Sequence, residues 1–306
     1  MVECFKICLH QLENSNSLFN IKEGKSIYQI KCLKPYFRLN PTTIVADPFL
    51  FVNKDTLYLF YESKQWLSPG VLKMVCTKDL KNWSSPVVVL EEPYHLSFPW
   101  VFEEDGHIYM LPEAGATNTI RLYEARNEDL TNFIFVKELL YAPLDAQILM
   151  GYGDSCINKI GDKYFLFTQL QYTDRINTLE LFVSDSLMGE YKAHPMSPIQ
   201  HNQKLGRNAG SLMRFEGKLL RFSQDCTNLY GDNVSISQIE KITPTEYKEK
   251  LILDNIIPTD IPFYKDGGHQ FNAVMFKGKW IVATDAKEYH KLTLQRIYNR
   301  IKRIFS

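Results

Sequence analysis

Two sets of polar residues recur at matched places along the chain. Asp47, Asp154, Asn208 and His269 each open a short apolar run, while Glu62, Glu113, Gln169, the pair Gln224 and Asp225, and Asp285 each close the run that follows. Carboxyl, amide and imidazole groups beside strands rich in Phe, Leu and Tyr are costly to bury without hydrogen-bond partners. Gathered at one place, they form either a structural network or a pocket whose polar groups fix a ligand. Arg207, beside Asn208 in LGRNAG, adds a guanidinium fork that pairs bidentately with carboxylates and phosphates. Its partner is either a ligand anion or one of the chain's own carboxylates.

The elements that must gather these groups are legible as a repeat. The stretches ADPFLFVNKDTLYLFYE (46–62), SFPWVFEEDGHIYMLPE (97–113), GDSCINKIGDKYFLFTQ (153–169), NAGSLMRFEGKLLRFSQD (208–225) and HQFNAVMFKGKWIVATD (269–285) share one grammar. An apolar strand meets a turn at Asp55, Gly106, Gly161, Gly217 or Gly278, and an aromatic or aliphatic strand returns to an acid or amide, the pattern of a β-hairpin. The turn residues lie 51, 55, 56 and 61 positions apart, the spacing of four-stranded propeller blades. Five hairpins predict an all-β, five-bladed β-propeller over residues 1–290. Outer strands follow four of the hairpins, as in GVLKMVCTKDLKNWSSPVVVL and NVSISQIEKITPTEYKEKLIL. None follows the fifth, so the N-terminal strand around FKICLHQ is expected to complete that blade and close the ring. In an antiparallel hairpin the first strand's start lies beside the second strand's end, so radial repetition brings both polar sets to one axial face. Pro99 and Trp100 are the second blade's expected contribution.

Composition excludes some classes. Thirty-five basic residues balance thirty-five acidic ones, so no global field favours nucleic acid. No stretch approaches the roughly 18 apolar residues of a membrane span, and MVECFKICLHQLENS has too short an apolar run for a secretory signal, which predicts a cytoplasmic protein. The six cysteines form no CxxC pair and no His stands at zinc spacing, so they read as reduced, mostly buried thiols and no structural zinc site is expected. The motifs GxxxxGK[ST], GxGxxG in a βαβ unit and GxSxG are missing, against nucleotide hydrolysis, nicotinamide chemistry and α/β-hydrolase action.

ADPFLF, the central GDSCI and GGHQFN, with outer strands such as CTKDLKNW, resemble the five-bladed propeller of the family 43 glycoside hydrolases. ADPFLF, SFPWVFEEDGHIYMLPE, GRNAG and SQDCTNLYGD are also similar, over nearly the whole chain, to the N-terminal propeller of glucosamine inositolphosphorylceramide transferases and their bacterial homologues. The first resemblance implies three carboxyl groups: a base for water, an acid for the leaving oxygen, and a third that positions them. Asp47 matches the base and Asp154 the positioning group. Where the hydrolase pattern places a glutamic acid, this sequence has Asn208, whose amide has no proton to give. Glu113, Asp225 or Glu62 are the substitutes that neighbouring registers offer, Glu113 joining Asp47 and Asp154 as the catalytic candidates. His269 resembles the histidine that helps hold a central divalent cation such as calcium, by way of water, or is a core histidine bonded to a carbonyl. Trp100, Trp66 and Tyr230 either stack on a sugar or pack the blades.

Residues 291–306, KLTLQRIYNRIKRIFS, place apolar residues at helical spacing beside five basic residues, a basic amphipathic helix. It would dock on the propeller, bind a glycosyltransferase partner or lie peripherally on an anionic membrane. Three functions stay open. The first is a propeller that binds a glycan, sugar phosphate or glycolipid without cleaving it, with Glu62, Trp100, Arg207, Asn208, Gln224, Asp225, Tyr230, His269 and Asp285 as binding residues. The second is a glycoside hydrolase or transglycosylase with a relocated acid, and the third is a protein scaffold.

Overall fold

The computed structural model describes residues 2–33 and 40–290. They form five antiparallel sheets around an axis, the five-bladed propeller. Blade I comprises Thr42–Asn53, Thr56–Gln65, Gly70–Thr77 and Val87–Leu90, and blade II comprises Ser97–Glu104, His107–Glu113, Thr119–Ala125 and Phe133–Tyr141, each from axis to rim. In blade III, Ile148–Ile160, Lys163–Tyr172 and Asn177–Ser184 are edged by two short pieces, Lys192–Ala193 and Gln200–His201. Blade IV is Met213–Phe215, Lys218–Asp225, Asn233–Ile242 and Tyr247–Leu253. The segment 291–306, with its expected amphipathic helix, lies outside the described residues.

Blade V closes the ring with both ends of the described chain. Phe271–Phe276 and Lys279–His290 supply its inner half, and Val2–Leu12 then pairs antiparallel along Lys279–His290, from Val2 opposite His290 to Leu12 opposite Trp280. Lys25–Ile30 forms the rim. The expected closure by FKICLHQ is therefore the structure's own.

All five predicted turns are two-residue hairpin loops, between Asn53 and Thr56, Glu104 and His107, Ile160 and Lys163, Phe215 and Lys218, and Phe276 and Lys279. Asp105–Gly106, Glu216–Gly217 and Lys277–Gly278 have positive φ at both positions, the type I′ geometry whose twist matches that of the strands. Between the blades, apolar side chains interdigitate: Phe60, Leu72 and Met74 of blade I meet Met110, Tyr123 and Phe133 of blade II. Leu220, Phe222 and Val234 of blade IV likewise meet Phe271, Val282 and Cys8 of blade V. Each such fully buried aliphatic or aromatic side chain contributes about 1.5–3 kcal/mol, so the blades hold one another.

Blade IV departs from the regular hairpin. Arg207 to Ala209 pair with 222–224, but the inner strand breaks at Gly210 before resuming at Met213. Gly210 has φ 147°, and a Cβ there would stand 2.3 Å from the Phe271 carbonyl oxygen. Ala209 O also accepts the Phe271 N–H at 2.8 Å, which ties blade IV to blade V. Gly210→Ala is therefore expected to cost about 2–3 kcal/mol, through backbone strain and a contact that cannot relax. A urea midpoint unchanged from the wild type would contradict this. No helix among the described residues is long and apolar enough to cross a membrane.

Candidate functional site

Three residues at equivalent places on inner strands adopt the left-handed region: Asp47 at φ 52°, Phe98 at 47° and Asp154 at 45°. Each sits in a register shift, between Ala46 and Phe49, Ser97 and Trp100, and Gly153 and Cys156. Left-handed geometry in a bulky residue costs of order 1–3 kcal/mol and persists only where the surroundings impose it. Here a chain of polar contacts from blade to blade imposes it. Asp285 Oδ2 accepts the Asp47 N–H at 3.3 Å, and Asp47 Oδ2 accepts the Phe98 N–H at 3.0 Å. Glu113 Oε2 accepts the Asp154 N–H at 3.0 Å. Asp154 Oδ2 then accepts from Arg207 Nε and, at 2.8 Å, from Gln224 Nε2. The bulges aim each backbone N–H at the neighbouring blade's carboxylate, which is the structural use of the strain.

The expected ring thus exists and divides into two groups. In the first, His269 lies between two carboxylates, its Nδ1 2.7 Å from Asp285 Oδ2 and its Nε2 3.4 Å from Asp47 Oδ1. Asp285 Oδ1 also accepts the N–H groups of His269 and Gln270 at 2.8 and 3.1 Å. In the second group Asp154 and Glu113 face Arg207, whose Nη2 is 3.8 Å from Glu113 Oε2. Asn208, fully buried, donates its amide to the Asp154 carbonyl at 2.8 Å and to the Phe167 carbonyl at 3.4 Å. Glu62 is buried beside these groups, 3.4 Å from His95 Nε2.

Tyr230 is the lid of the second group. Its ring centroid lies 5.2 Å from the Arg207 guanidinium carbon and 5.2 Å from the His269 ring, and 43% of the residue is exposed. Arg207 and Glu113 keep 19% and 12% of their side chains exposed, so an approaching molecule meets Tyr230, Arg207 and Glu113 before the buried acids.

Two expected ring members lie elsewhere. The bulge at Phe98 and Pro99 carries Trp100 past the axial face: its indole donates to the Ile157 carbonyl at 3.4 Å and packs against Phe49 and Phe102. There it lines a cavity of about 390 Å³ with Leu50, Met213 and Val274. Phe98 takes the place at the ring that Trp100 was expected to fill. Asp225, at its strand's end, accepts the Thr227 N–H at 2.9 Å and faces Lys204 at 3.5 Å rather than the ring acids. Trp66 packs against Val2, Cys4 and Cys32. Sequence reasoning missed Gln270, fully buried, whose amide oxygen and nitrogen both lack a partner among the described residues, as do Asn208 Oδ1 and Gln224 Oε1. Buried amides of this kind are ordinarily met by water or a ligand. The only signal was its place beside His269 in GGHQFN.

The electrostatics follow from burial and pairing. Burial alone would lower the His269 pKa, but Asp285 and Asp47 outweigh it and raise it from 6.5 to about 9. Burial raises Asp47 to about 6 against the pull of His269, and Asp154 to about 7 against that of Arg207. Glu62 is raised well above its ordinary value by burial and by Asp47 and Glu113. At neutral pH the His269 imidazolium itself stands between Asp47 and Asp285 as the local cation. Asp47, His269 and Asp285, all buried, each offer a ligand atom within 4.8 Å of the others, and these are the residues that would hold a central cation.

The titrations of Asp47, Asp154 and His269 act in one direction. The native state holds protons the unfolded chain has released, so stability falls as pH rises through each window. The windows run from 3.8 to about 6 for Asp47, 3.8 to about 7 for Asp154 and 6.5 to about 9 for His269. The His269 contribution is fully present below pH 6.5 and lost through pH 9. Urea unfolding between pH 6 and 9.5 should show a falling midpoint that His269→Gln flattens; parallel slopes would refute the assignment.

The fold is a five-bladed propeller of the architecture also found in glycoside hydrolases. Its architecture matches the family 117 glycoside hydrolase Zg3597 of Zobellia galactanivorans, at TM-score 0.54 and 12% identity over 79% of this chain and 84% of that one. It also matches the Bacteroides ovatus xyloglucan-locus protein GH43B, at TM-score 0.52 and 17% identity over 72% of this chain and 45% of that one. At such identities the likeness concerns the fold. Residues 27–283 match the family described as glucosamine inositolphosphorylceramide transferase 1, N-terminal, and the chain belongs to that family. The glucosamine inositolphosphorylceramide transferase 1 of Oryza sativa subsp. japonica is 36% identical over 228 residues, 72% of this chain. The chain spans only 29% of that relative's length.

Proposed function

We propose that this propeller binds a sugar or sugar phosphate at its axial face, without hydrolysing it, and so assists the synthesis of cell-surface glycans or glycolipids. The observation that carries the reading is Asn208. It occupies the blade IV position where the hydrolase resemblance places the general acid, and its amide is spent on two backbone carbonyls. Asp47 and Asp154 keep their places, but Asp47 is engaged by Phe98 and His269, and Asp154 by Arg207 and Gln224. What remains open to a ligand is the mouth formed by Tyr230, Arg207 and Glu113: an aromatic face, a cation for a phosphate or carboxylate, and an acceptor for sugar hydroxyls. Family membership supports the biosynthetic setting. In the same reading, the five basic residues of 291–306 meet an anionic membrane or a glycosyltransferase partner.

One observation favours a hydrolase or transglycosylase instead. Glu62 and Asp154 hold protons unusually well for carboxyl groups, as a relocated acid must. Calorimetry against a panel of glycans, sugar phosphates and sugar nucleotides, with mass spectrometry of the products, separates the readings. Expected is binding without turnover, weakened about 10- to 100-fold by Arg207→Ala through loss of a charge-assisted contact. Turnover abolished by Asp47→Asn establishes the hydrolase reading, and a folded protein that binds nothing in the panel overturns both.

A further inference from the structure

The seam that closes the ring brings together four groups from distant parts of the sequence. Cys4 lies on Val2–Leu12 directly opposite Glu288 on Lys279–His290, and His290 follows two residues later on the same face. Cys32 arrives from beyond the rim strand Lys25–Ile30. Ligand atoms of Cys4, Cys32 and His290 all lie within 4.8 Å of one another, with both cysteines buried and His290 partly so. Cys32 Sγ is 3.1 Å from Glu288 Oε1 and 3.8 Å from His290 Nε2, and that nitrogen is 2.8 Å from the same Oε1. Lys6 holds the other carboxylate oxygen at 2.8 Å, and Trp66 packs against the two cysteines.

We propose that Cys4, Cys32 and His290 bind a zinc ion, with Glu288 as fourth ligand, and that this site clasps the two ends of the propeller together. Zinc favours a tetrahedron of sulfur, nitrogen and oxygen ligands at about 2.0–2.3 Å, which sets neighbouring ligand atoms about 3.3–3.8 Å apart. The distances involving Cys32, His290 and Glu288 lie within about half an ångström of that range, a shift that side-chain rotation supplies. Binding converts two thiols to thiolates and releases two protons to solvent, while His290 coordinates through neutral Nε2. Lys6 then acts as the outer partner that orients Glu288, as carboxylate ligands require. The clasp joins residue 4 to residue 290, so it constrains almost the whole described chain in the unfolded state. No motif signals the site, because no two of the ligands stand at zinc-finger spacing.

The test is metal content and spectroscopy on the full chain. Protein purified without added metal and dialysed is expected to retain about one zinc per chain. A Cys4→Ser/Cys32→Ser double variant should lose it, Glu288→Gln should bind it about 10- to 100-fold more weakly, and Cys76→Ser should keep it. If the double variant fails to fold, cobalt titrated into metal-stripped wild type decides. A thiolate-to-cobalt charge-transfer absorption, with quenching of Trp66 fluorescence, supports the site. Its absence overturns the proposal, as does an intact mass two daltons light from a Cys4–Cys32 disulfide.

Discussion

Asp285→Ala should lower the stability of the protein by about 3–5 kcal/mol, the usual cost of removing one partner from a buried charge pair. Asp285 is fully buried and serves three backbone N–H groups, those of Asp47, His269 and Gln270, besides facing the His269 ring. Its loss strands those donors and leaves the imidazolium with Asp47 alone. Two measurements distinguish this account from simple cavity formation. The urea midpoint should fall, and the pH dependence between 6.5 and 9 should shrink with it, because His269 then binds its proton less tightly. Asp285→Asn keeps an acceptor for part of the set and should cost less. A variant that loses stability yet keeps the full wild-type pH slope would disprove the charge pairing.

Glu249→Ala should likewise cost about 3–5 kcal/mol. Arg221 is fully buried and donates through Nε and Nη2 to Glu249 at 2.7 and 2.6 Å, a bidentate pair inside blade IV. Tyr247 and, from the edge of blade III, Gln200 complete the carboxylate's partners at 2.8 and 2.6 Å. Burial would raise the Glu249 pKa, but Arg221 and these donors hold it below its ordinary value. The pair's stabilisation is therefore present above the ordinary glutamate pKa and fades as pH falls. Truncating one partner strands a charge in the core, whereas replacing both with apolar residues of similar volume often restores stability. Arg221→Met combined with Glu249→Leu should recover most of the loss from Glu249→Ala. Additive damage in the double variant would show that the residues do not act as a pair.

The amino-acid order alone determined the architecture, because a propeller blade is a local object. Alternating apolar strands and two-residue turns fix each hairpin, and the five turns at Asp55, Gly106, Gly161, Gly217 and Gly278 count the blades. It also determined most of the ring, since Asp47, Asp154, Asn208 and His269 open inner strands and Asp285 closes the strand that returns beside one of them. Tertiary structure decided what register cannot. A bulge at Phe98 and Pro99 turned Trp100 into the blade packing and presented a backbone N–H in its place. Asp225, next to Gln224 in sequence, left the ring because successive strand residues face opposite ways. The pairing of Arg221 with Glu249, and the meeting of Cys4 and Cys32 with His290, depend on contacts between strands far apart in the chain. Their partners are chosen by ring closure and blade packing, whose geometry no local pattern encodes.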